Sequence, residues 1–167
     1  MLQRLNHVAY RCRDAQETTE FYRDVLGMPL AHTIVQDRVP STGEVAPHAH
    51  VFFELGDGSW VAFFDVGAED HVPQEANPDW AQHLALEVAS VDDLQAARDR
   101  LVDHGIDVLG PVDHVFIRSI YFYDPSGHRL EMAARTHTDA DLEAFAAQAP
   151  ELVDEWTRRK KEGSTAG

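Results

Sequence analysis

The first part of the chain alternates between hydrophobic and polar residues, changes to a helical spacing, and then alternates again. The residues from Leu5 to Cys12 alternate, with Val8, Tyr10 and Cys12 on one side, which is typical of a half-buried strand. Asp14 then begins a predicted amphipathic helix, and Gly27 ends it. Three strands are predicted at 28–35, 50–55 and 59–66, the last two joined by a Gly-Asp-Gly turn. The predicted order is therefore βαβββ.

The same order begins again after an acidic, proline-containing segment at 66–79 that reads as a linker. His83 lies in an alternating strand, Ser90 caps the next predicted helix, and three further strands are predicted at 106–109, 115–123 and 128–134. Aligning His83 with His7 places Ser90 on Asp14. This internal duplication predicts an α+β fold, with two tandem βαβββ modules forming a curved mixed sheet.

The composition changes after Arg135, which sets the predicted domain boundary. We assign residues 1–135 to one domain, with module one at about 4–66 and module two at about 80–135. Leu142, Phe145 and Trp156 recur at a spacing that indicates an appended helical extension within 136–167. Pro150 is expected to begin the second part of that extension.

The segment from Ile120 to Met132 carries the most specific local signal. Its Asp-Pro-Ser-Gly sequence predicts a tight turn between two strands, closed by a glycine bulge at Gly127. Counting outward from that turn places Tyr121 opposite Glu131 on one face of the ladder. A phenol and a carboxylate are therefore expected to share one surface.

Composition limits the classes of partner. The formal net charge is -15, which argues against nucleic acid and anionic membranes because both attract basic surfaces. The single cysteine excludes a disulfide framework and a thiolate zinc site, and it fits a reducing compartment. No segment approaches the roughly 20 apolar residues that a membrane span needs. We therefore expect a cytoplasmic protein without a membrane partner.

Three side chains from separate strands form a candidate metal site. His7 and His83 occupy equivalent positions in the two modules, and Glu131 lies on a comparable face of the last strand. If the modules pack into one curved sheet, the three converge, and the sheet is expected to curve around a metal cleft. Two imidazoles and one carboxylate are the ligands of facial-triad Fe(II) sites, which keep open positions for other ligands. Mn(II), Ni(II) or Zn(II) would also fit these donors.

These residues carry a family resemblance. The duplicated unit, the FYRDVLGM helix end and the closing DPSGHRLE motif resemble the vicinal oxygen chelate superfamily over Leu5 to Ala134. Within it, GPVDH followed by RSIYFYDPSGHRLEM is similar to the catalytic end of one-domain type I extradiol ring-cleavage dioxygenases. The resemblance implies an Fe(II)-dependent enzyme of aromatic compound catabolism, an oxidoreductase that opens an aromatic diol with dioxygen. By analogy with that superfamily, a homodimer is expected.

The resemblance also implies roles for single residues. His7, His83 and Glu131 would hold the iron, Tyr121 would hydrogen-bond the diol, and His114 would line its pocket. From the residues themselves we expect Trp60, Phe63 and Phe122 to supply an aromatic cleft for the ring. The acid-base histidine of that family falls near Ser59 here, so His48 or His50 would have to replace it.

Other functions on the same scaffold stay open. A glyoxalase-like isomerase would use the metal as a Lewis acid, but it normally takes a fourth ligand from the strand that here contains Trp60 to Phe64. Fosfomycin-modifying thiol transferases share the three metal ligands. A drug-binding protein of the bleomycin-resistance type is the non-catalytic alternative, and an intact ligand set disfavours it.

Overall fold

The computed structural model describes residues 4–67 and 81–164, so most of the predicted acidic linker lies outside it. Module one contains two helical segments, which are continuous in the chain, and four strands. They are β1 (His7–Arg11), α1 (Ala15–Thr19) continuing as a π-helical segment (Glu20–Val25), β2 (Leu30–Arg38), β3 (Val45–Glu54) and β4 (Trp60–Asp65). Their order in the sheet is β1-β4-β3-β2, with β1 and β4 parallel and the other pairs antiparallel.

Module two repeats this arrangement. Its elements are β5 (Leu84–Val88), α2 (Val91–Asp103), β6 (Leu109–Asp113), β7 (Ile117–Tyr123) and β8 (Arg129–Arg135). The sheet order is β5-β8-β7-β6, again with one parallel pair, β5 and β8. The predicted α+β fold of two βαβββ modules is therefore confirmed. The strands form two separate sheets of four strands each, whereas the sequence analysis predicted one curved sheet.

Side-chain caps explain where the two helices begin. The Asp14 carboxylate accepts a hydrogen bond from the backbone N–H of Glu17, and the Ser90 hydroxyl accepts one from that of Asp93. Each bond satisfies a backbone donor that the first turn of a helix leaves without a partner. Both caps were predicted from the sequence.

The two modules share one cluster of buried hydrophobic residues. Polar contacts also join them at the turn between β7 and β8. The Tyr22 hydroxyl donates to the buried carboxylate of Asp124, and the backbone N–H of Arg13 donates to the Ser126 hydroxyl. Burial raises the pKa of Asp124. The turn therefore closes the second module and fastens it to the first.

The C-terminal extension is one helix, α3 (Asp139–Ser164), which continues through Pro150. The expected break at that proline is wrong. Phe145 near the start of the helix lies against Phe116, with 6.1 Å between the ring centroids. Among the described residues, none of the helices is long and apolar enough to cross a membrane.

Candidate metal centre

The parallel pairing of β5 with β8 brings two of the predicted metal ligands together. Ala85 pairs with Glu131, and His83 lies just before β5. The His83 Nε2 atom is 2.8 Å from Glu131 Oε2, and the Ser119 hydroxyl donates a hydrogen bond to Oε1. Glu131 is only 3% exposed. Its carboxylate is thus held between a histidine and a serine on the face of the sheet opposite α2.

Tyr121 on β7 lies next to the cluster of His83, Glu131 and Ser119. It pairs with Glu131 across the ladder, as the sequence predicted, and its hydroxyl lies 2.8 Å from His114 Nε2. The pKa of Tyr121 is raised, first by burial and then by the charge of Glu131. Since the phenol stays protonated at neutral pH, it can donate a hydrogen bond to a bound oxygen.

His7, the third predicted ligand, lies elsewhere in the same chain. Its Nδ1 donates to Asn6 Oδ1 at 2.7 Å, and its ring contacts His50 and Phe52 on the exposed face of the first sheet. In the part of the chain that the structure describes, no three His, Cys, Asp or Glu side chains are grouped so that they could hold a metal ion. Within one chain, therefore, His7 does not join His83 and Glu131.

His50 accompanies His7 on that face. It stacks on Phe64 with 3.6 Å between ring centroids, and its buried Nε2 has no hydrogen-bond partner within residues 4–67 and 81–164. Burial, followed by the nearby imidazoles of His7, His48 and His32, lowers the pKa of His50 to about 4. His50 is therefore a neutral imidazole at pH 7. Ser59 instead donates to Asp57 within its turn.

The predicted aromatic cleft is not formed as expected. Phe63 and Phe122 are buried in the core, where Phe63 packs on Tyr22 and Phe122 on Phe21. Successive strand residues point to opposite faces, so Phe122 points away from the face that carries Tyr121. This corrects their assignment as substrate contacts. Trp60 pairs with His7 and lies partly exposed beside it.

The donors that are present fit a divalent ion. Two ligands bound at about 2.1 Å on adjacent positions of one ion lie about 3 Å apart, close to the distance between His83 Nε2 and Glu131 Oε2. The hydrogen bond from Ser119 orients the carboxylate, and the bond from His7 Nδ1 to Asn6 leaves Nε2 with the lone pair that a metal needs. These supporting bonds are what metal-ligating side chains ordinarily have.

The sequence analysis missed Ser119, Asn6 and Arg129. Ser119 precedes Tyr121 by two residues in the same strand, so alternation alone would have placed it on the same face. Arg129 likewise precedes Glu131 by two residues, and its guanidinium carbon lies 4.7 Å from the centre of the Tyr121 ring. The contact of Asn6 with its neighbour His7 has no comparable signal in the sequence.

A cavity of about 520 Å³ lies beside the edge strand β5. Its walls come from β5, from Arg135 and from the turn at Leu55, Gly56 and Asp57. Neither His83 nor Glu131 lines it, so we do not assign it to the metal centre.

A family model of the glyoxalase/bleomycin resistance protein/dioxygenase superfamily matches residues 4–132. The chain belongs to this superfamily. The match covers both modules and the histidine and glutamate positions described above. The predicted family is thereby confirmed at the level of the superfamily.

The chain also resembles individual proteins, at low sequence identity. The chain is 32% identical over 143 residues to a 2-epi-5-epi-valiolone epimerase of Actinomyces sp, covering 77% of each protein. It is 26% identical over 134 residues to the metallothiol transferase FosB of Staphylococcus haemolyticus, covering 79% of this chain and 84% of that one. In structure it resembles the fosfomycin resistance protein FosX from Listeria monocytogenes, solved with Mn(II) and sulfate. There the TM-score is 0.59 at 21% identity, over 81% of this chain and 95% of the other.

These relatives overturn the predicted reaction. They include an epimerase, metallothiol transferases and a glutathione transferase, so the prediction of an extradiol dioxygenase and oxidoreductase is wrong. The predictions of an aromatic diol and dioxygen as substrates and of a place in aromatic catabolism are wrong for the same reason. Fe(II) was preferred to other divalent ions because of the dioxygenase prediction, so that preference no longer has support. The motifs that suggested ring cleavage build the turn and position the tyrosine and glutamate, and they do not identify the substrate.

Proposed function

We propose that this chain is a divalent-metal-dependent isomerase of the epimerase type, acting beside the carbonyl of a small hydroxylated compound. The observation that supports it best is the placement of the hydrogen-bonded Tyr121 and His114 pair next to His83 and Glu131. Epimerisation beside a carbonyl needs groups that move one proton and no second substrate, and a Lewis acid on the carbonyl oxygen assists it. The similarity to a valiolone epimerase, at 32% identity, supports the same reaction class.

His83 and Glu131 would hold the ion, and His7 from a second copy of the chain would complete the ligand set. Support comes from the position of His7, which is exposed on the first sheet, away from the other two ligands. In a symmetric pair, the first sheet of each copy would face the second sheet of the other, forming two equivalent sites. The relative solved with Mn(II) makes Mn(II) the first ion to test, with Ni(II), Zn(II) and Fe(II) beside it.

When bound, the divalent ion would act as a Lewis acid on two neighbouring oxygens of the substrate. The carbon next to the carbonyl would lose its proton to a side chain. The electron pair of that C–H bond would form a double bond to the carbonyl carbon, and the π pair of the carbonyl group would move to its oxygen. A proton returned to the opposite face of that carbon inverts its configuration. The reaction is redox-neutral, and atoms balance without a co-substrate.

Two groups of side chains would carry that proton. The phenol of Tyr121 can donate to the carbonyl side, with His114 exchanging its proton through their shared hydrogen bond. His50, beside His7 on the facing sheet, has a buried ring nitrogen without a partner. In the proposed dimer it would approach the substrate from the side opposite Tyr121, as inversion requires.

Proton exchange with solvent tests the proposed reaction. The Mn(II)-loaded protein is incubated in D₂O with a panel of cyclic and open-chain hydroxyketones, both neutral and anionic, and proton NMR follows the hydrogen next to each carbonyl. We expect deuterium incorporation and a second diastereomer with at least one compound, both abolished by removal of the metal. Absence of exchange across the panel in protein that binds Mn(II) would contradict the epimerase proposal.

A fosfomycin-type thiol transferase is the second candidate, favoured by the guanidinium of Arg129 beside the site, which has no acidic partner among the described residues, since a cation suits a phosphonate. Cys12 is buried, so the thiol would have to come from a second substrate. Loss of free thiol when glutathione or cysteine is mixed with fosfomycin and Mn(II)-loaded protein would favour this candidate.

A further inference from the structure

Arg129 lies on the proposed substrate face. It is in β8, two residues before Glu131, and pairs with Tyr123 across the ladder. Its guanidinium carbon is 4.7 Å from the centre of the Tyr121 ring. Stacking on an aromatic ring fixes the plane of a guanidinium and limits the rotamers that it explores. The charge is therefore held in place beside the carboxylate and phenol of the site.

This charge has no acidic partner among the residues that the structure describes. Its Nε atom is buried and makes no hydrogen bond to any part of the chain that the structure describes. Within the described part of this acidic chain, six other arginines form ion pairs: Arg13, Arg23, Arg98, Arg118, Arg135 and Arg159. Glu131, the nearby carboxylate, is bonded to His83 and Ser119 instead. A partly desolvated donor without a partner costs free energy that an anionic ligand would recover.

We propose that Arg129 binds an anionic group of the substrate, a carboxylate or a phosphonate, next to the oxygens that chelate the metal. The planar, two-pronged guanidinium matches both groups, because each offers two oxygens in one plane. The substrate class is thus an anionic hydroxy or oxo compound. This inference rests on the proposed function in one respect, since it takes the face with His83, Glu131 and Tyr121 as the substrate face.

Three small molecules show whether the site binds a carboxylate, a phosphonate or neither. Glycolate has a hydroxyl and a carboxylate, hydroxymethylphosphonate has a hydroxyl and a phosphonate, and ethylene glycol is neutral. Binding to Mn(II)-loaded protein is followed by water-proton relaxation. We expect at least one anionic probe to bind at least tenfold more tightly than ethylene glycol, and its identity to assign the carboxylate or the phosphonate.

Substitutions test whether Arg129 is the residue that binds the anionic probe. Arg129→Gln should lose at least tenfold in affinity for that probe, and Arg129→Lys should recover part of the loss. Arg135→Gln is the matched control, because Arg135 lies on the same face of the same strand but is ion-paired with Glu87 at 2.7 Å. Equal affinity in wild type and Arg129→Gln, or equal losses in Arg129→Gln and Arg135→Gln, would overturn the inference.

A separate measurement distinguishes failure of the inference from failure of the proposed function. In metal-free, ¹⁵N-labelled protein, the anionic probe should shift the Arg129 Nε–H resonance more than the same concentration of chloride or ethylene glycol does. No such shift would overturn the role of Arg129. Failure of the wild-type protein to bind Mn(II) would instead overturn the proposed function and leave the result of this NMR experiment to decide the role of Arg129.

Discussion

The hydroxyl of Tyr121 lies between His114 and the carboxylate of Glu131, and in the proposed reaction it transfers a proton and does not hold the metal. We predict that Tyr121→Phe keeps its affinity for Mn(II) and loses about 100-fold or more in the rate of proton exchange, a typical loss for a general acid-base group. Isothermal titration and deuterium exchange measure the two quantities separately.

Tyr123→Phe is the matched control for that variant, since Tyr123 is the next residue on the same face of the same strand. It should retain the wild-type exchange rate. A Tyr121→Phe protein with a full exchange rate would remove Tyr121 from the proposed proton path.

Cys12 gives a prediction about reactivity. It is 2% exposed, and burial raises its pKa to about 11, so a thiolate fraction of about one part in a thousand is expected at pH 8. An uncharged thiol reagent should therefore modify the native protein at least 100-fold more slowly than the urea-unfolded protein, and the rate should rise with pH through pH 9. Equal rates in the two states would show that the thiol is accessible.

At the scale of elements, the Ser90 cap sets the start of α2, whose Leu94 and Leu101 are buried against the second sheet. Ser90→Ala removes the acceptor for the Asp93 N–H and should lower the free energy of unfolding by about 1 kcal/mol. Urea unfolding of metal-free protein measures this loss. Ser90→Asp, which restores an acceptor, should recover most of it, and an unchanged midpoint in Ser90→Ala would contradict the assigned role.

Local signals predicted most of the elements. Alternation, the caps at Asp14 and Ser90, and the turn before His128 depend on neighbouring residues, and the register of Tyr121 against Glu131 followed by counting from that turn. Pro150 was misinterpreted, because a proline that often begins a helix lies here inside one. The placement of Phe63 and Phe122 depends on which face of each sheet meets the helices, and aromatic composition alone does not give that.

At the scale of the whole molecule, two features were beyond a single sequence. His83 meets Glu131 because β5 pairs with β8 inside one module, whereas the position of His7 depends on how two separate sheets are arranged. The reaction depends on the substrate, and the same histidine, glutamate and tyrosine positions are compatible with several chemistries. Fold and superfamily could therefore be predicted, and the reaction could not.

The most direct test of the shared metal centre mixes two inactive variants. His7→Ala and Glu131→Gln, each carrying a different affinity tag, are first purified singly and should bind little Mn(II). Co-expression with random pairing makes half of the dimers mixed, and each mixed dimer would contain one site with all its ligands intact.

Titration of this co-expressed preparation with Mn(II) measures the number of restored sites. We predict about a quarter of the wild-type stoichiometry, rising to about half in mixed dimers isolated through both tags. Binding by the mixture that is no greater than binding by the separate variants would contradict a metal centre built from His7 of one copy and His83 and Glu131 of the other.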